Sequence, residues 1–148
     1  MRKFVPLFMC ALFVFGLTCV AVASGSSHNI PWGANVSEFH NLTMTKEADG
    51  IKYYDVKNEK VCEISDLATA KITYGFKNDK LYARIIDINN PQDFDKVHSH
   101  FFKTFGEAKV KQEGDWAIYK WSVNDVDIKL KENKKANRVK FGMYNQKL

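Results

Sequence analysis

The stretch Lys71–Gly106 constrains the fold more than any other part of the chain. Ile72, Tyr74 and Phe76 alternate with Lys71, Thr73 and Gly75, and a period of two puts the large apolar side chains on one face of a strand. The polar run Lys77-Asn78-Asp79-Lys80 follows, and its Asn-Asp centre tolerates a left-handed backbone without glycine. The return segment carries Leu81, Ala83 and Ile85 on one side and Tyr82, Arg84 and Ile86 on the other. Apolar side chains on both faces mark a central strand. Asn90 and Pro91 then open a helix, as cap and first helical residue, with Asp93 and Asp95 placed to complement its dipole. Phe94, Val97, Phe101, Phe102 and Phe105 recur at helical spacing as one apolar stripe, and Gly106 ends it. A hairpin with a helix lying back across it is the unit to which the remaining segments add strands.

The chain ahead of that unit reads as an export segment and a leader. Arg2 and Lys3 precede a nearly unbroken apolar run, Leu7–Val20, and Ala21-Val22-Ala23 fits the small-x-small cleavage pattern. Residues 1–23 are therefore expected to be a signal peptide, with cleavage near Ala23/Ser24 and a periplasmic or secreted product. Residues 24–30 read as a disordered leader and residues 31–148 as a single domain. No second apolar run of spanning length follows, so no transmembrane segment is expected after cleavage. Cys10 and Cys19 fall within the signal peptide, which leaves Cys62 without an internal disulfide partner and reads it as a buried apolar residue.

Within the domain, Trp32 is expected to anchor the start of the fold, and Asn35 or Ser37 to cap a short helix through Phe39. Ile51–Lys57 reads as a strand, Asn58-Glu59-Lys60 as a turn and Val61–Ile64 as a short strand. After the helix, Lys109–Asp115 reads as a polar loop. Trp116–Ser122, Val126–Lys131 and Arg138–Met143 alternate with a period of two and read as a final antiparallel meander of three strands. The fold class is α+β: a mostly antiparallel, twisted sheet of five to seven strands with one main amphipathic helix packed on one face.

The combination of Pro31-Trp32-Gly33, Ile72-Thr73-Tyr74-Gly75-Phe76, the Phe-rich helix ending at Gly106, Tyr119-Lys120-Trp121 and the closing meander resembles small exported bacterial proteins of uncharacterised function. The resemblance runs over nearly all of residues 24–148. It implies export and an α+β fold. Its motifs are turn glycines and aromatic anchors, and it implies no catalytic residue. Such proteins commonly carry proline two residues after the helix-ending glycine. Ala108 stands there, which puts the helix exit in doubt.

Chemistry-bearing clusters are few. His98 and His100 would point about 200° apart on a helix and could not chelate one metal together. Asp93/Asp95 and Asp125/Asp127 are close carboxylate pairs, but nearness in sequence does not place two carboxylates across a cleft. There is no G-x-S-x-G elbow, P-loop or G-x-G-x-x-G, and no cofactor is expected.

Charge is the sharper signal. The formal charge of the whole chain is +5, and it is unevenly spread. From residue 129 onward, Lys129, Lys131, Lys134, Lys135, Arg138, Lys140 and Lys147 face Glu132 alone. Alternation puts Lys129, Lys131, Arg138 and Lys140 on one side of the last two strands, and Lys134 and Lys135 extend the patch through their loop. Such a surface suits an anionic envelope component or an acidic protein partner, while export argues against nucleic acid. The sequence thus reads as an exported cell-envelope protein that binds an anionic ligand or protein partner without catalysis. Two alternatives stay open: a small envelope hydrolase with an unrecognised site, and a dimeric interaction domain working through an exposed strand edge. Oligomeric state is not legible in the sequence.

Overall fold

The computed structural model describes residues 31–56, 67 and 69–148. The signal peptide, the leader, the turn at residues 58–60, the short strand at residues 61–64 and Cys62 lie outside the described residues.

Strands β1 (Leu42–Ala48), β2 (Ile51–Val56), β3 (Thr69–Lys77) and β4 (Lys80–Ile88) form one antiparallel meander. Helix α1 (Phe94–Phe105) follows, and then a second meander of β5 (Lys109–Glu113), β6 (Trp116–Val123), β7 (Val126–Asn133) and β8 (Arg138–Asn145). Antiparallel pairing of β8 with β4 joins the two into one sheet of order β1-β2-β3-β4-β8-β7-β6-β5. The expected antiparallel sheet with one helix is present, but it has eight strands, not five to seven.

The corrections fall at the sheet edges. β1 was not anticipated, and β5 replaces most of the expected polar loop at Lys109–Asp115. Every residue of β5 is exposed, as is all of β1 beyond Leu42. An edge strand can be held by backbone pairing on one side with no apolar side chain to bury, so it leaves no hydrophobic alternation to read.

Turn chemistry fixes the hairpins. Asn78 and Asp79 both take positive φ, at 51° and 60°, which closes β3 onto β4 with the twist a two-residue hairpin needs. Asp49 and Asn124 do the same at two other turns. At the helix, Pro91–Asp93 forms a 3-10 turn ahead of α1, and the Gln92 N–H donates to Asn90 Oδ1 at 3.2 Å.

The core lies on one face of the sheet under two covers. Over the second meander, Val97 and Phe101 of α1 are buried, and the Phe101 ring meets Trp121 and Phe141, each at 5.4 Å. Phe102 departs from the expected stripe: it is 48% exposed, because the helix rests on the sheet along a narrower arc than its apolar positions span. Over the first meander the cover is the N-terminal strap. Phe39 packs on Tyr74 and Phe76, and the Gly33 N–H donates to the Leu81 carbonyl at 3.0 Å. Trp32 packs against the core with the Arg84 guanidinium 4.9 Å from its ring. Asn35 caps the 3-10 turn Val36–Glu38, accepting from the Ser37 N–H, while Glu38 accepts from the Asn35 N–H. No helix among the described residues is long and apolar enough to cross a membrane.

The helix exit is tied down by a single side chain. Trp121 Nε1–H donates to the Gly106 carbonyl at 2.8 Å, with Gly106 at φ 80°. Trp121→Phe should leave that carbonyl unpaired and cost about 1–3 kcal/mol in urea denaturation. An unchanged midpoint would show that solvent satisfies Gly106 instead.

Candidate anion-binding face

The face of the sheet turned away from α1 carries the lysines of β5–β8. Residue pairing lays its side chains out in rows running across the strands. One row passes from Lys109 through Lys120 and Lys129 to Gly142 and Ile85. The next passes from Lys111 through Ile118, Lys131 and Lys140 to Asp87. Lysines therefore sit directly opposite lysines at Lys109–Lys120, Lys120–Lys129 and Lys131–Lys140. Like charges in direct cross-strand register destabilise a sheet.

Charge on this face is felt across several strands: Lys46 on β1 contributes to lowering the Lys140 pKa on β8, with β2, β3 and β4 between them. Between β5, β6 and β7 lies a groove of about 270 Å³, lined by Lys109, Lys111, Lys120, Lys129 and Lys131, with Val110, Glu113 and Ile118.

The lysines differ in what holds them. Lys120 Nζ lies 2.6 Å from Asp127 Oδ2, and Ser122 Oγ donates to Asp127 Oδ1 at 2.7 Å. Lys111 pairs with Glu113 at 2.8 Å. Among the described residues, no carboxylate forms an ion pair with Lys109, Lys129, Lys131 or Lys140. Two of these four are instead placed over rings. Lys129 Nζ is 5.0 Å from the Tyr144 ring centre, and Lys140 Nζ is 4.8 Å from that of Trp116. A ring orients an ammonium without neutralising its charge. On the other half of the face Lys71 has Asp55 at 2.6 Å, while Lys46 lies over the Tyr53 ring at 4.6 Å and Lys77 over the Tyr82 ring at 5.7 Å.

Titration follows this layout. Burial lowers the Lys131 pKa first and Lys129 lowers it further, against an opposing pull from Glu113. Burial is also the main cause for Lys140, opposed by Asp87 and reinforced by Lys131, Arg138 and Lys46. For Asp127, burial is the largest single influence and acts upward. The hydrogen bonds from Lys120 and Ser122, with the charges of Lys120 and Lys129, outweigh it, and the carboxyl titrates below its usual range. An aspartate so engaged is a poor proton acceptor, so Ser122, Asp127 and Lys120 form a strut rather than a nucleophile and its base.

Of the residues singled out from sequence, Lys129, Lys131, Arg138 and Lys140 share this face, with Arg138 at 3.6 Å from Asp87. Lys134 and Lys135 stand in the β7–β8 turn, beside Glu132 at 4.0 Å and Asp115 at 3.6 Å. The groove's other lysines, Lys109, Lys111 and Lys120, were not anticipated. Their signal was the alternation of Lys109 and Lys111 with Val110 and Gln112, which is an edge-strand pattern. His98 packs on Tyr119 at 5.0 Å and Trp121 at 5.9 Å, while His100 lies beside Phe101. Among the described residues no three His, Cys, Asp or Glu side chains gather into a metal-ligating group. Asp125 pairs with Lys147 at 2.7 Å and does not join Asp127. No protein-family model, curated protein or solved structure matches the chain.

Proposed function

We propose that this is an exported, non-enzymatic protein that binds an anionic ligand on the lysine-bearing face of β5–β8. The observation that carries the reading is the like-charge register. Lys131 faces Lys140, and Lys120 faces both Lys109 and Lys129, yet Lys109, Lys129, Lys131 and Lys140 have no ion-paired carboxylate among the described residues. An arrangement that costs the sheet stability is explained if an anion offsets it. The edges fit a dimer less well, because Lys46, Lys109 and Lys111 stand on β1 and β5, and edge lysines oppose strand pairing.

The test is calorimetric titration at low ionic strength with citrate, inorganic polyphosphate and polygalacturonate. At least one should bind, and its affinity should fall steeply with added salt. Lys129→Glu combined with Lys131→Glu should abolish that binding. Lys131→Gln should weaken binding while raising the stability of the ligand-free protein by about 0.2–1 kcal/mol, since it removes the repulsion from Lys140. Opposite signs for stability and binding are the mark of this reading. If charge reversal leaves binding intact, the face is not the site.

A further inference from the structure

We propose that the ligand is a linear acidic polysaccharide lying across strands β5–β8, perpendicular to them, an inference that rests on the anion-binding reading above. The first argument is direction. Lys109, Lys120 and Lys129 are successive register partners, and Lys131 and Lys140 are partners in the next row. The cations are thus ordered across the strands, and β5 to β8 is three strand spacings, or about 14 Å. A compact anion reaches two neighbouring ammonium groups. A chain bearing charges at intervals reaches the whole row.

The second argument is spacing. Lys120 is already held by Asp127, and Lys111 by Glu113. Among the described residues, the ammonium groups that form no ion pair with a carboxylate are Lys109 on one side and Lys129, Lys131 and Lys140 on the other, with β6 between them. On β6, Lys120 stands between Lys109 and Lys129, while Ile118, 8% exposed, floors the groove between Lys111 and Lys131. With the Trp116 ring beside Lys140, this places spaced charges over an apolar floor, which suits a polymer whose carboxylates are separated by the C–H faces of sugar rings. A polyphosphate carries charge at every link and has no apolar face to place there. The third argument is the setting of the cations. Trp116 and Tyr144 hold Lys140 and Lys129 in position, and both rings border the lysine rows with further apolar surface. Aromatic and apolar linings with a few fixed charges are the usual make-up of a ligand site.

Oligogalacturonates of increasing length, inorganic polyphosphate and citrate would be titrated into the protein at low ionic strength. Affinity should climb with oligogalacturonate length and level off once the chain spans about 14 Å. It should then exceed the affinity for citrate and for polyphosphate of equal charge. Lys109→Gln on β5 and Lys140→Gln on β8, at opposite sides of the four-strand span, should each weaken the longest oligomer about tenfold and the shortest far less. Binding independent of length, or polyphosphate bound as tightly, overturns the polysaccharide and leaves the anion-binding reading in place. Failure of all three probes to bind overturns both. Retention of the wild-type unfolding midpoint by each variant confirms that the lost affinity is local.

Discussion

Phe141→Ala should destabilise the fold by about 3–5 kcal/mol, measured by urea denaturation. Phe141 is 1% exposed and sits on β8, the strand that joins the two meanders. Its register partners are Ile86 on β4 and Leu130 on β7, both buried, and Phe101 of α1 lies above it. Removing the ring therefore opens a cavity at the one place where both halves of the sheet and the helix meet. Against a total of about 5–15 kcal/mol for a domain, that loss would leave the variant marginal. Phe102→Ala is the control. It removes the same ring from a neighbouring helix position that is 48% exposed, and it should cost well under half as much. Equal losses from the two variants would mean that the outer flank of α1 is covered after all.

The same two residues show how far the sequence could be read. Phe141 belonged to an alternating strand with one apolar side, and that pattern locates a core position directly. Phe102 belonged to a helical stripe whose width exceeds the arc that contacts the sheet. Periodicity says which side of a helix is apolar, but only packing says how much of that side is covered. The strands legible in the sequence were β2, β3, β4, β6, β7 and β8. The two edge strands were not, since β1 and β5 need backbone partners more than buried side chains. That gap carried over to the candidate site. Lys129, Lys131 and Lys140 stand on legible strands. Lys109 and Lys111 join them only because β5 pairs with β6, a contact that apolar patterning does not announce. Nor does the sequence indicate that β8 returns to β4, the pairing that joins the two meanders into one sheet.

Stability should rise and then fall as the solution becomes alkaline, with the fall controlled by Tyr144. Tyr144 folds back over Gly142, whose missing Cβ makes room: a methyl group there would lie 2.6 Å from the tyrosine oxygen. Burial in this position, with smaller contributions from Tyr53 and Tyr82, pushes the Tyr144 pKa from 10.0 up to about 12. Because the folded value is the higher one, the neutral phenol stabilises the fold fully below the unfolded pKa. That contribution is lost as pH rises through the window between the two values. A displacement of about two units corresponds to about 3 kcal/mol. Lys131 and Lys140 act in the other direction. Their folded pKa values are depressed, so the native protein sheds these protons before the unfolded chain does. Stability gains from them as pH climbs through their folded values, and the gain is complete near the unfolded lysine value of about 10.4. Denaturation midpoints across this range should therefore peak near pH 10 and drop beyond it. Tyr144→Phe should flatten the drop, and the tyrosinate absorbance of the native protein should lose one late-titrating step. A decline that persists unchanged in Tyr144→Phe would show that the phenol is not the group that gives way. The rise toward the peak would report chiefly the burial of Lys131 and Lys140, with the neighbouring lysine charges second to it.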